Sequence, residues 1–168
     1  MGGIILTSPG YLELLRSNKT FARLWGSNMI LYIGDWFTVL AMFLLAGDAT
    51  DNSPLAIAGV LAVRSFTFAP LEPITGMLAD RYPRKYLMII ANLFSFVILI
   101  SFILTGILDN LFSVYALTIL LVVGRAIYDP AGTAYLPTIC NEEELLTANA
   151  LISGGWSASM GILSLIHI

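Results

Sequence analysis

Charged residues are scarce in this chain. Only 11% of its 168 residues are Asp, Glu, Lys or Arg, whereas 58% are hydrophobic. A soluble domain has about 25% charged residues, and one of this size exposes too much surface to be covered by so few charges. The composition therefore predicts a membrane protein. The formal net charge of −3 gives no electrostatic basis for binding nucleic acid.

Cysteine and histidine are nearly absent as well. One cysteine, Cys140, and one histidine, His167, exclude a disulfide framework within the chain and the familiar spacings of a zinc site. The sequence also contains no GxSxG elbow, HExxH motif, P-loop or dinucleotide-binding fingerprint. We therefore expect no catalytic activity, no bound metal and no cofactor.

Long apolar runs dominate what is present. A helix that spans the hydrocarbon core needs about 20 mostly apolar residues, and this window predicts four full spans and an incomplete fifth. The predicted spans lie at about 24–46, 55–78, 86–108, 112–137 and 145–162. The predicted fold class is therefore an all-α membrane protein.

Polar residues mark the predicted helix starts. Residues 1–23 are predicted to form a cytoplasmic N-terminus with a short interfacial helix capped by Ser8. Asn18 is predicted to cap the helix of the first span, and Asn141 with Glu144 has the spacing of a capping box before the fifth.

The basic residues predict the orientation of the spans. Six of the eight cations precede the first span or follow the second, and these are Arg16, Lys19, Arg23, Arg81, Arg84 and Lys85. The positive-inside rule assigns that side to the cytoplasm, together with the N-terminus. For a bacterial source the expected location is the plasma (inner) membrane.

Five charged residues fall inside or at the ends of the apolar runs: Asp35, Arg64, Glu72, Arg125 and Asp129. Each costs about 2.5–3.5 kcal/mol at mid-membrane, so we expect them to face a helix bundle and pair. Arg125 and Asp129 are four residues apart and can pair locally. Arg64 and Glu72 are two helical turns apart, and Asp35 is predicted to pair with Arg125 from another helix. The alternative is that these charged side chains only hold helices together or snorkel to the membrane interface, and snorkelling is favoured for Glu72.

Glycines recur within the predicted spans, at positions 26, 34, 59, 76, 124 and 132. Small residues allow helices to pack closely, and they also open space for a substrate path. The sequence leaves both interpretations open.

The stretch GMLADRYPRK, between the second and third spans, resembles the cytoplasmic signature of the major facilitator superfamily. The matching residues are Gly76, Asp80, Arg81, Arg84 and Lys85, with Pro83 where the usual pattern has a glycine. Gly76 would allow close helix packing, Asp80 would pair with cations or a helix N-terminus, and the basic residues would hold the connection in the cytosol.

Other stretches extend the resemblance over roughly residues 16–161. Arg125 stands where the superfamily has an arginine in its fourth helix, although Asp129 and Pro130 depart from the usual glycine-rich continuation. The segments SNKTFARLWGSNMILYIGDWF and LPTICNEEELLTANAL are similar to the enterobactin-exporter-like branch.

The resemblance implies a secondary active transporter. By this resemblance it would sit in the lipid bilayer and export a small molecule. An ion gradient, for instance of protons, would drive the export. The superfamily fold has two six-helix halves around a midplane site. By this resemblance we expect the chain to correspond to part of the N-terminal half, with the C-terminal half missing and Asp80 without its partner helix. We expect the chain alone not to transport.

Residues 163–168, LSLIHI, match one reading frame of a transposon adapter used in sequencing libraries. We interpret them as adapter translation and the chain as a truncated transporter, with an ordinary apolar helix end as the alternative. The competing function is a small non-transporting membrane protein, such as a scaffold, a regulatory subunit or a dimerising half-transporter. DNA sequence beyond the codon for Ile162 distinguishes the two.

Overall fold

The computed structural model describes the backbone of residues 8–166 and the side chains of residues 8–161. All regular structure in that range is helical, which confirms the predicted all-α class. The helices are α1 (Tyr11–Ser17), α2 (Lys19–Asp48), α3 (Pro54–Arg81), α4 (Arg84–Thr105), α5 (Leu111–Ile139) and α6 (Glu142–Ile166).

Four of these helices are long and apolar enough to cross a bilayer. They are α2 to α5, with 30, 28, 22 and 29 residues, and each carries at most two charged residues in its most apolar window. All exceed the roughly 20 residues that the hydrocarbon core requires. The chain is therefore a multi-pass integral membrane protein. The side chains of residues 163–168, including His167, lie outside the described range, so the adapter interpretation of this segment stays a prediction.

The connections between the spans are short. Only Tyr82 and Pro83 separate α3 from α4, and the Pro83 carbonyl accepts hydrogen bonds from the backbone N–H groups of Tyr86 at 3.0 Å and Leu87 at 3.2 Å. Proline therefore makes the tight turn directly, with φ of −59°. Gly106, with φ of 63°, ends α4 in the left-handed conformation that glycine adopts at little cost.

Two of the predicted helix caps are confirmed. The Asn18 side-chain oxygen accepts a hydrogen bond from the Phe21 N–H at 3.0 Å. At the start of α6, the Asn141 N–H donates to the Glu144 carboxylate at 3.0 Å, and the Glu144 N–H donates to the Asn141 side-chain oxygen at 2.9 Å. This reciprocal pair is a capping box, and it satisfies two donors that the helix leaves free.

The predicted Ser8 cap of the interfacial helix is wrong. Helix α1 begins at Tyr11 with Gly10 as its N-cap, two residues beyond Ser8. The Glu13 carboxylate accepts a hydrogen bond from the Gly10 N–H at 3.3 Å. Since a carboxylate at the third helical position reaches back to the N-cap, Glu13 sets the register of this helix start.

The chain divides into two compact units. Among the described residues, the terminal unit contains 8–37 and 136–166, and the central unit is Thr38–Tyr135. The terminal unit has an apolar core of Leu14, Phe21, Leu136, Cys140 and Ala148. The core of the central unit consists of Met42, Ala46, Val60, Val114 and Leu117.

Within the terminal unit, α2 and α6 run parallel. The indole N–H of Trp25 donates to the Leu151 carbonyl at 3.1 Å, and four residues further along each helix Met29 packs against Gly155. Contacts that advance together along both helices require the same direction. If α2, α3, α4 and α5 each cross the membrane once, the chain reverses direction at each connection, and α6 then runs in the same direction as α2. The parallel packing of α2 and α6 agrees with these four crossings.

Two glycines set the helix crossings of the central unit. A Cβ on Gly59 would overlap the Tyr115 hydroxyl, which donates to the Ala56 carbonyl at 2.9 Å and so joins α5 to α3. A Cβ on Gly124 would overlap the Ser95 hydroxyl of α4. Close packing therefore accounts for these two glycines. A Cβ would meet nothing within 4 Å at Gly26, Gly34 or Gly76, and only ordinary contacts at Gly132.

Candidate functional site

The charged signature is mostly helical rather than a loop. Asp80 and Arg81 lie in the last turn of α3, and Arg84 and Lys85 lie in the first turn of α4. Arg84 is half-buried and the other three charged residues are exposed. The structure thus brings these residues together at one two-residue turn, with Gly76 one helical turn before Asp80.

Arg84 has a specific partner in the central unit. Its guanidinium donates from Nη1 to the Ala134 carbonyl of α5 at 2.8 Å. The N-terminus of α4 carries partial positive charge, which disfavours a cation, whereas carbonyls near the C-terminal end of α5 carry partial negative charge. This contact joins the α3–α4 turn to α5, and no local sequence pattern indicated it.

The predicted pairing of Arg125 with Asp129 is confirmed. Arg125 Nε lies 2.8 Å from Asp129 Oδ2, one turn apart on α5. The Arg125 side chain is 17% exposed and that of Asp129 is 37% exposed. The pair neutralises two charges within a membrane-spanning helix, and both residues take part in further interactions.

The remaining intramembrane charges lie on two other helices. Asp35 on α2 and Arg64 on α3 are half-buried, and each has an interaction partner. Glu72, further along α3, is exposed. The predicted pairing of Asp35 with Arg125 stays a prediction, and so does the functional role of Arg64 and Glu72.

A polar cluster in the terminal unit was missed by the sequence analysis. We call it the junction cluster: Asn18, Ile139, Asn141 and Glu144. The Asn18 amide donates to the Ile139 carbonyl at 2.7 Å and to the Glu144 carboxylate at 3.2 Å. It thereby links the α1–α2 junction to the α5–α6 junction. Residues 126 positions apart meet here, so no local pattern could reveal the contact.

The lone cysteine lies within this region. Cys140 is buried between α5 and α6. Burial, which penalises the thiolate, raises the pKa of Cys140 to about 11, and the negative charge of Glu144 adds to this effect. Because the thiolate is the reactive form, Cys140 is a structural rather than a reactive cysteine in the folded protein.

Among the residues that the structure describes, no group of three or more His, Cys, Asp or Glu side chains could hold a metal ion. Glu13, Glu143 and Glu144 line an acidic recess at the start of α6. Glu13 and Glu144 serve there as helix caps, so helix capping accounts for two of the three carboxylates.

These features define a polytopic helical membrane protein with a short basic turn and an ion pair inside one span. Residues 24–167 match the family description of the Major Facilitator Superfamily, and the chain belongs to that superfamily.

One curated relative is the uncharacterized MFS-type transporter YfiS of Bacillus subtilis (strain 168). It is 32% identical to this chain over 80 residues, which cover 48% of this chain and 19% of YfiS. The match thus spans less than a fifth of that relative. No solved structure matches the chain.

Proposed function

We propose that this chain is part of a secondary active transporter that exports a small molecule, driven by an ion gradient in which the proton is the coupling ion. Membership of the Major Facilitator Superfamily supports the transporter class. The observation that carries the proposal is the Arg125–Asp129 ion pair inside α5.

An ion pair in a membrane-spanning helix is costly, and such residues mark substrate or ion pathways. Asp129 is about twice as exposed as Arg125, at 37% against 17%. A proton or a cationic substrate that arrives at the Asp129 carboxylate would therefore compete with the guanidinium of Arg125 for it. Exchange of partners at this pair is the proposed coupling step.

The proposal places the N-terminus in the cytoplasm, because six of eight cations lie on that side by the positive-inside rule. A location in the plasma (inner) membrane is supported by the bacterial relative. We further propose the enterobactin-exporter-like branch, supported by the resemblance around residues 16–35 and 136–151.

The remaining helices of the transporter would come from a C-terminal half outside this chain. Asp80 is exposed at the end of α3, which suits a partner helix from that half. DNA sequence past the codon for Ile162 tests this point. An open frame with about seven further spans, as expected for two six-helix halves, supports it, whereas an immediate stop supports the small non-transporting membrane protein.

Efflux from cells that express the complete transporter tests the function. A panel of fluorescent probes is first compared in cells with and without the transporter, and the exported probe is then used with variants. Arg125→Ala and Asp80→Asn should abolish its efflux while membrane levels remain normal. Arg16→Ala, which alters an exposed cation of α1, is the matched control and should retain efflux. Full efflux in both test variants would refute the mechanism.

A further inference from the structure

Helix α3 contains two prolines in its interior, Pro70 and Pro73. A proline nitrogen carries no hydrogen, so neither residue can donate the helical hydrogen bond to the carbonyl four residues earlier. The carbonyls of Phe66 and Ala69 therefore lose their helical donors. No side chain in the described part of the chain donates to either carbonyl.

These two carbonyls lie near the middle of the span. Phe66 is twelve residues after Pro54, where α3 begins, and Ala69 is twelve residues before Arg81, where it ends. At 1.5 Å per residue, each lies about 18 Å from its end of the helix. Lipid tails offer no hydrogen-bond donor, so a backbone carbonyl without a partner at this depth is costly.

Both carbonyls belong to one exposed side of α3. We call it the proline face: Phe66, Ala69, Pro70 and Pro73. Intervals of three, four and seven residues place its members on one side of the helix, and all four are exposed. Thr75, nine residues after Phe66 and so on the opposite side, is buried. The proline face therefore points away from the core of the central unit.

The surroundings of the proline face have to supply donors. Backbone groups that proline frees at membrane depth are tolerated where they are buried in protein or line a water-filled cavity. Glu72, three residues after Ala69, flanks this face, is exposed and forms no ion pair with a described residue. Two carbonyls and a carboxylate are together complementary to a cation that carries N–H groups.

We propose that the proline face and Glu72 line a water-filled substrate path and bind a small organic cation with N–H donors, such as an alkylammonium ion. Its N–H groups donate to the carbonyls of Phe66 and Ala69, and the Glu72 carboxylate balances its charge. The proposal rests on the transporter function above and names the substrate class. It concerns access and binding, so it is separate from coupling at Arg125.

The first test asks whether water reaches the proline face. Ala69→Cys and Phe96→Cys are compared in the full 168-residue chain in lipid nanodiscs, by alkylation with iodoacetamide and intact mass. Phe96 is an exposed residue of α4, twelve residues after Arg84, so it lies about as far from the α3–α4 turn as Ala69 does. The slow reaction of native Cys140 is subtracted.

Iodoacetamide reacts with the thiolate, which forms where water reaches the sulfur. Ala69→Cys should therefore be alkylated at least about tenfold faster than Phe96→Cys, as for a difference of one pKa unit or more. Adding Pro70→Ala and Pro73→Ala to Ala69→Cys returns two N–H groups to the helix, and alanine is the best helix former. The rate should then fall to within about twofold of the Phe96→Cys rate, because the carbonyls no longer need water.

The second test measures binding by protection from alkylation. n-Butylammonium carries N–H donors, whereas tetraethylammonium has the same charge and none. Butylammonium should slow the alkylation of Ala69→Cys saturably, and tetraethylammonium should not. Glu72→Gln should weaken this protection at least about tenfold, as for a lost hydrogen bond between charged groups. Glu142→Gln, at an exposed glutamate of α6, is the matched control and should leave it unchanged.

Three outcomes would overturn the proposal. Equal alkylation of Ala69→Cys and Phe96→Cys would show that lipid covers the proline face. Equal protection by both cations, or by neither, would remove the proposed ligand. A rate at Ala69→Cys that is high in this chain but falls to the Phe96→Cys rate in the complete transporter would assign the face to contact with the C-terminal half.

These results are distinguishable from failure of the proposed function. None of them affects the efflux test with Arg125→Ala. Conversely, unchanged efflux in Arg125→Ala would leave a measured cation site on α3 intact and refute only the coupling mechanism.

Discussion

Replacing Asn18 by alanine should expose Cys140. The Asn18 side chain makes three hydrogen bonds: its amide donates to the Ile139 carbonyl and the Glu144 carboxylate, and its oxygen accepts from the Phe21 N–H. Alanine removes all three without adding bulk. Because Cys140 follows Ile139 directly, loss of these bonds loosens the segment that buries the thiol.

The size of the effect follows from the bonds lost. An N-cap contributes about 1 kcal/mol, a neutral hydrogen bond about 1 kcal/mol, and a bond to a carboxylate somewhat more. Together they amount to about 3 kcal/mol, or roughly a hundredfold in the equilibrium between the closed and open junction cluster. In the closed state the raised pKa, about 11 against 9.0, lowers the thiolate fraction about a hundredfold below pH 9.

The assay is alkylation of Cys140 by iodoacetamide at pH 8 in nanodiscs, followed by intact mass. The chain has one cysteine, so no background variant is needed. Asn18→Ala should react up to about a hundredfold faster than the native chain. The matched control is Asn149→Ala, which removes an exposed asparagine whose amide donates to the Leu145 carbonyl one turn earlier in α6, and it should react at the native rate. A native rate in Asn18→Ala would refute the shielding of Cys140 by the junction cluster.

Three further predictions concern other contacts. Gly59→Ala should destabilise the helical bundle, because its methyl would overlap the Tyr115 hydroxyl, whereas Gly26→Ala should be neutral or stabilising by up to about 1 kcal/mol. Thermal unfolding followed by circular dichroism compares the two variants. Equal effects on the melting temperature would contradict the close crossing of α3 and α5. Arg84→Lys should lower the free energy of unfolding by about 1 kcal/mol, because it removes the planar guanidinium that donates to the Ala134 carbonyl. Lys85→Arg should leave the free energy of unfolding unchanged. A native melting temperature for Arg84→Lys would argue against the contact. Alkylation of folded Cys140 should rise with pH up to about 11, whereas the denatured chain should level off near 9.0. Since the folded pKa is the higher one, the stability linked to the neutral thiol is present below pH 9.0 and lost towards pH 11, and coincident profiles would contradict the burial.

Local sequence patterns predicted the helices and their starts well. Apolar run length identified four spans because the bilayer imposes a fixed thickness, and the caps at Asn18 and Asn141 followed from spacing within one turn. The pair Arg125–Asp129 was predictable for the same reason, since residues four apart share a helix face. Ser8 failed as a cap because Glu13 competes for the helix start by reaching back to Gly10.

Long-range contacts were beyond these rules. Nothing in the sequence indicated that the Arg84 guanidinium reaches the Ala134 carbonyl, or that Asn18 reaches Glu144. The sequence did not distinguish the glycines either. Gly59 and Gly76 both lie within predicted spans, but of the two only Gly59 lies against a side chain of a neighbouring helix. Such contacts depend on how helices cross, which periodicity does not specify.

The pairing of α2 with α6 has a consequence for biosynthesis. Trp25 and its partner Leu151 are 126 residues apart, so α2 enters the membrane long before its neighbour exists. At roughly 5–20 residues per second, a ribosome needs about 6 to 25 s to make the intervening chain. During that interval the α6-facing side of α2 must be shielded by lipid, by the insertion machinery or by a temporary neighbour, and slowing translation between these helices would prolong its exposure to quality-control proteases.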